Sequence, residues 1–170
     1  MRTVLRIIDA ISDQTGRVVC WLCPVFILVV TNEVVMRFVF NNPTMWGYET
    51  GIIIGASLCI LAWSYAQRHQ AHVRVTIFYS LLSIRGQAII DVFSGLFLSI
   101  PLFGIFTYTS VKWAVHAWAV NERMVQTYWH PPFGPLRTIV AIGALLMLLQ
   151  TIANFIRDLY TLIRNERYDD

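Results

Sequence analysis

Four long apolar runs constrain this chain more than any other feature: Val18 to Phe40, Tyr48 to Ala66, Ala88 to about Val111, and Leu136 to Ile156. Each has about 19 to 24 residues, against the roughly 20 that a helix needs to cross the hydrocarbon of a bilayer. The runs are continuous rather than alternating, so the dyad-repeat segments of a membrane β-barrel are missing. Helices are then the spanning elements, because lipid offers no partner to an unpaired backbone group. Composition agrees: 14% of the residues are charged and 56% hydrophobic, whereas a soluble domain carries about 25% charged residues. A chain this short could not bury that much apolar surface in water. The expected fold is an all-α integral membrane protein, one domain over residues 1–170 with four transmembrane helices.

Lys and Arg set the expected orientation. Arg2, Arg6, Arg17, Arg68, Arg74, Arg85, Arg157, Arg164 and Arg167 make nine of the thirteen bases, and all fall on one side of the four runs. By the positive-inside rule both termini and the central loop are cytoplasmic, with Asn41 to Gly47 and Val120 to Pro135 external. The amino-terminal stretch has acids among its bases and no small-residue cleavage site, so it does not read as a signal peptide. Val4, Leu5, Ile8 and Ile11 fall at helical spacing, which predicts a short amphipathic helix over about 2–14 on the membrane surface. The alternative is a simply polar leader. A second interfacial segment is expected over about 75–84, where Ile77, Phe78, Leu81 and Leu82 share a face.

The connection NNPTMWG suggests a tight hairpin between the first two spans, with Asn41 or Asn42 as N-cap and Pro43 at the first helical position. Trp46 and Tyr48 suit the outer interface and Trp21 the inner one. Gly51 and Gly55, followed by Cys59, Ala62 and Ala66, form a small-residue stripe of the kind that lets helices approach closely in lipid. Pro101 is expected to bend the third span or open its hydrogen-bond ladder. The proline-rich end of VNERMVQTYWHPPFGP cannot be regular helix and reads as an exposed turn.

Glu33 and Arg37 stand one turn apart inside an apolar run, a spacing that allows a salt bridge. The short loop brings Glu49 to a similar depth, so Arg37 is expected to bridge both carboxylates and lock the hairpin. Ionisable groups within a span point to function by default; fixing helix packing is the equally weighted alternative, and a proton or ion site is disfavoured because the arginine already neutralises a carboxylate. Histidines raise the question of haem, but His69 and His72 lie toward one end of the spans and His116 and His130 toward the other. Cys20 and Cys23 form a CxxC near the cytoplasmic face with Cys59 the remaining cysteine, which reads as reduced thiols and leaves too few ligands for zinc. No catalytic residue, metal site or cofactor is expected, and no nucleic-acid partner. The middles of the spans are nearly free of ionisable groups, which suggests part of a larger assembly rather than a self-sufficient transporter.

Three strings, NEVVMRFVF-NNPTMWGYE, AWSYAQRHQAHVRV and IGALLMLLQTIANFIRDL, together resemble the small membrane subunit (DctQ-like) of tripartite ATP-independent periplasmic (TRAP) transporters. The family pattern falls on Glu33, Arg37, Pro43, Trp46, Glu49, Arg68, His72, Arg74 and Val75; where the family often continues with Asp, this chain has Thr76. The resemblance implies a non-catalytic subunit in the bacterial inner membrane. Its expected partners are a large membrane subunit of about twelve spans, a periplasmic solute-binding protein and membrane phospholipids. An ion gradient, usually sodium, would drive uptake of a carboxylate. Glu33, Arg37, Trp46, Glu49, Gly51 and Gly55 are then candidates for hairpin structure or a partner interface. Arg68, His72, Arg74 and Arg85 are candidates for lipid head groups or the partner's cytoplasmic edge, with a topology-setting basic loop as the plain alternative. A haem- or quinone-binding redox anchor is the competing functional reading.

Overall fold

A computed structural model describes residues 2–69 and 84–164. Helix α1 spans Arg2–Phe38, α2 Gly47–Arg68, α3 Ile84–Ser94, α4 Ile100–Ala119 and α5 Gly134–Arg164. A π-helical segment, Gly95–Ser99, joins α3 to α4 without a break. Four crossings result, each long and apolar enough to span a membrane.

The amino-terminal residues are not a separate helix. They continue into the first span as one element of 37 residues, about 55 Å long at ~1.5 Å per residue and so well beyond the ~30 Å of hydrocarbon. The reason is a single buried stripe. Leu5, Asp9, Ser12, Gly16 and Val19 recur every three or four residues, and all are buried; a break near Gly16 would take half of them off their neighbours. The second expected interfacial segment, 75–84, lies almost wholly outside the described residues.

Helix α2 begins four residues later than the loop sequence suggests. Asn41 takes a left-handed backbone, φ 49°, and Pro43 stays outside the helix. Trp46, not an asparagine, is the N-cap residue and gives no side-chain cap; the Thr44 hydroxyl, two residues before it, accepts the Gly47 N–H at 3.2 Å and also donates to Glu33. One side chain thus serves both the helix start and the preceding helix, which neither asparagine does. In the third span Pro101 has no N–H to give. The ladder opens just ahead of it, where the Ile100 N–H reaches back to the Gly95 carbonyl.

Helices α2 and α5 form the centre, with α1 packed on α2 and α3 and α4 on α5. The apolar windows of α2 and α5 are 28% and 33% buried, against 6% for α1 and 0% for the third span. Helices α2 and α5 approach closely at Gly143, where a Cβ would come within 2.8 Å of Ile60 Cγ1 and 3.1 Å of its carbonyl oxygen. Ala141, Ala144, Met147 and Ala153 continue the buried face of α5. Without a hydrophobic drive between helices in lipid, such close packing and interhelical hydrogen bonds hold them together; one example is Thr107 Oγ1 donating to the Ala144 carbonyl at 3.1 Å. Residues 120–133 form the expected turn, here a small antiparallel loop in which Met124 N–H meets the Pro131 carbonyl at 2.9 Å and Phe133 N–H meets that of Glu122 at 2.8 Å.

Candidate functional site

Polar side chains gather at the two ends of the helices. At the α1–α2 connection, Arg37 Nη2 donates to Glu33 Oε1 at 2.8 Å, the expected pair one turn apart. Glu33 Oε2 accepts from the Thr44 N–H at 3.2 Å and from the Thr44 hydroxyl. The carboxylate thereby ties α1 to the loop that starts α2, and both its oxygens are engaged.

Glu49 does not join them. Its side chain is fully buried, and Oε1 accepts the Thr127 N–H at 2.9 Å from the loop between α4 and α5. Oε2 has no hydrogen-bond partner among the described residues. Helical rotation explains the difference: residues advance by about 100° each at ~3.6 per turn. Gly47, Gly51 and Gly55 recur on the side of α2 that faces α1, which puts Glu49 about 200° from Gly47. Its stripe is instead that of Ser57, Ile60 and Ser64, all buried. The spacing of these four residues is present in the sequence, but which side of α2 is buried is set by its neighbours. Trp46 stands exposed just before α2. Gly55 is held close to Phe26, 3.1 Å from a built Cβ, whereas at Gly51 the nearest contact is Val30 at 4.0 Å. The small-residue stripe is therefore a packing face at Gly55 and open space at Gly51.

The opposite end carries a denser network that the sequence reading missed. Asp9 of α1 pairs with Arg157 of α5, and Gln150 Nε2 donates to Asp9 Oδ1 at 3.2 Å. Ser12 Oγ donates to Gln150 Oε1 at 2.9 Å. Arg68, at the end of α2, pairs with Asp13 and donates to the Asp9 carbonyl at 2.7 Å. Asn154 Nδ2 donates to the Gln67 carbonyl at 3.2 Å. Three helices are cross-linked by groups that are buried or partly buried, and charge is balanced among Asp9, Asp13, Arg68 and Arg157. The available signal was spacing: Asp9 and Asp13 stand four apart, and Gln150, Asn154 and Arg157 lie on one face of the last run.

Arg68 is thus engaged inside the chain, not free as a basic loop residue would be. Arg85 falls in the first turn of α3, and His72 and Arg74 lie outside the described residues. His69 contacts Asp13 at 3.5 Å and packs on Tyr65, while His116 and His130 sit toward the far end of the helices, in α4 and the loop after it. At that end Arg137 pairs with Glu122 at 2.7 Å and lies over the rings of Phe133 and Trp113. Cys20, Cys23 and Cys59 are exposed thiols.

A family model described as tripartite ATP-independent periplasmic transporters, DctQ component, matches residues 26–161. The chain belongs to this family. It is a small membrane component of a TRAP transporter, a class of transport proteins that is typically non-catalytic. The matched range of this DctQ component takes in Glu33, Arg37, Glu49, Arg68, Gln150 and Arg157, but begins after Asp9, Ser12 and Asp13. The α1 half of the buried network therefore lies outside the matched residues. A search of the curated proteins returns no match.

Proposed function

We propose that this DctQ component acts as a scaffold for the large membrane subunit of a TRAP transporter that imports a carboxylate. A periplasmic binding protein delivers the solute, and an ion gradient, sodium in the usual case, drives uptake. Both termini are cytoplasmic in the bacterial inner membrane, and the α1–α2 connection faces the periplasm. The observation that carries the scaffold reading is where the charge sits. The polar clusters tie helices together at their ends, while the central stretches of α1 and of the third span present apolar faces that are mostly exposed in the isolated chain. Outward-facing residues such as Leu28, Leu98, Ile105 and Val115 suit lipid or another membrane protein. Glu33 and Arg37 brace the hairpin on the periplasmic side, and the Asp9 network braces the cytoplasmic side.

Affinity purification of the tagged chain from gently solubilised native membranes tests this directly. The expected result is a membrane protein of about twelve spans recovered in near-equal amount, with transport on reconstitution only when it and the binding protein are present. Recovery of the chain alone with a Soret band, or with transport activity of its own, contradicts the proposal.

A further inference from the structure

Between α1 and α2, at the end where they are connected, runs a groove of 360 Å³, within the ~300–1,000 Å³ typical of small-molecule sites. Phe26, Val30, Val34 and Ile52 form its apolar walls, and Arg37 and Tyr48 stand in the same lining toward the connection. Gly51 keeps it open. A Cβ there would meet nothing nearer than 4.0 Å, so close helix packing does not call for glycine at that position; any larger side chain projects into the groove. From Phe26 to Phe38 the groove follows about 18 Å of helix at ~1.5 Å per residue, close to the ~15 Å that one leaflet contributes to the hydrocarbon.

The ion pair gives the groove a direction. Both Glu33 oxygens are engaged, by Arg37 and by Thr44. Arg37 donates one hydrogen bond to Glu33, and its side chain is 50% exposed. A guanidinium has five N–H donors, so most of its donors have no protein partner among the described residues. Arg37 lies in the last turn of α1, the end of a span where head groups lie, and there a phosphodiester supplies the missing acceptor oxygens in charge-assisted, bidentate geometry. We infer that the α1–α2 groove is a phospholipid site in which Arg37 holds the phosphate and the acyl chain lies over Gly51 between Val30, Val34 and Ile52. A helix from a partner subunit fits less well, because it would have to bring both an apolar face to the groove and an acceptor group to Arg37 at its end. A phospholipid has its phosphate at that level already.

Native mass spectrometry of the full chain, purified with its membrane partner, delipidated and titrated with dioleoylphosphatidylglycerol, tests the inference. Gly51→Leu is expected to remove one bound lipid per chain. Gly104→Leu, at a position where a Cβ meets nothing within 4 Å, is expected to keep the wild-type number. Arg37→Gln should weaken the same lipid about tenfold, as loss of a charge-assisted hydrogen bond does, with Arg37→Lys falling between. Should Arg37→Gln fail to fold, the glycine pair still decides. Equal lipid counts in wild type and Gly51→Leu overturn the site, as does equal loss in Gly104→Leu, which reports ordinary annular lipid. A photo-crosslinker at Val34 that yields a protein adduct instead of a lipid-mass adduct overturns it in favour of a partner helix.

Discussion

Asp9 and Arg157 are 148 residues apart in sequence and form an ion pair that joins the first helix to the last. Their side chains are 7% and 17% exposed, so the pair lies largely out of solvent, and Gln150 and Asn154 supply its surrounding hydrogen bonds. Removing one member of a buried pair leaves the other charge short of its partner, at a cost of about 3–5 kcal/mol.

Asp9→Asn is therefore expected to lower the melting temperature in detergent substantially and to reduce recovery of the folded chain. Asp13→Asn should cost less, because Asp13 is 31% exposed. The charge-reversed double variant Asp9→Arg with Arg157→Asp should recover part of the loss, and a thermal melt of the three variants side by side checks the order.

At the other end, Glu33 carries more than Arg37. It holds Arg37 and both Thr44 donors, and its side chain is 11% exposed against 50% for arginine. Glu33→Ala is expected to destabilise by about 1 kcal/mol, the net worth of hydrogen bonds whose donors are only partly buried. Arg37→Ala should cost less in stability and lower complex yield and transport together. Transport lost from an Arg37→Ala complex that assembles at wild-type yield would instead assign Arg37 to docking or gating.

Glu49 pins the loop between α4 and α5 through the Thr127 N–H at 2.9 Å. Glu49→Ala should free that loop, whose tip carries the exposed Val125 and Tyr128. Hydrogen exchange at Thr127 is the direct measurement: the expected outcome is faster exchange there, with the centres of α2 and α5 unchanged.

Gly143 marks a close approach of the central helices. Gly143→Leu places a side chain against the Ile60 backbone, and overpacking of this kind costs about 1–3 kcal/mol. Loss of folded protein is expected for Gly143→Leu. No loss is expected for Gly104→Leu, whose new side chain meets open space.

What the sequence determined by itself follows from local rules. The four spans could be read because their solvent is lipid, which demands long apolar runs and helical backbone whatever the neighbours are. The Glu33–Arg37 pair was legible because i, i+4 contacts are built into one helix. The opening of the ladder near Pro101 was legible because a missing N–H acts within its own helix. Relations between elements were decided only by the tertiary structure. Glu49 turned toward the α4–α5 loop instead of Arg37 because its rotation about α2 is set by which stripe packs on α5. Thr44, and neither asparagine, meets the first N–H of α2 because Glu33, on another helix, is there to receive its hydroxyl. Residues 2–14 joined the first span because their polar groups have partners on α5, more than a hundred residues away in sequence. A carboxylate in an apolar chain must find a partner, but which partner depends on helix rotation and contact order in space, and neither is written in any single stretch of sequence.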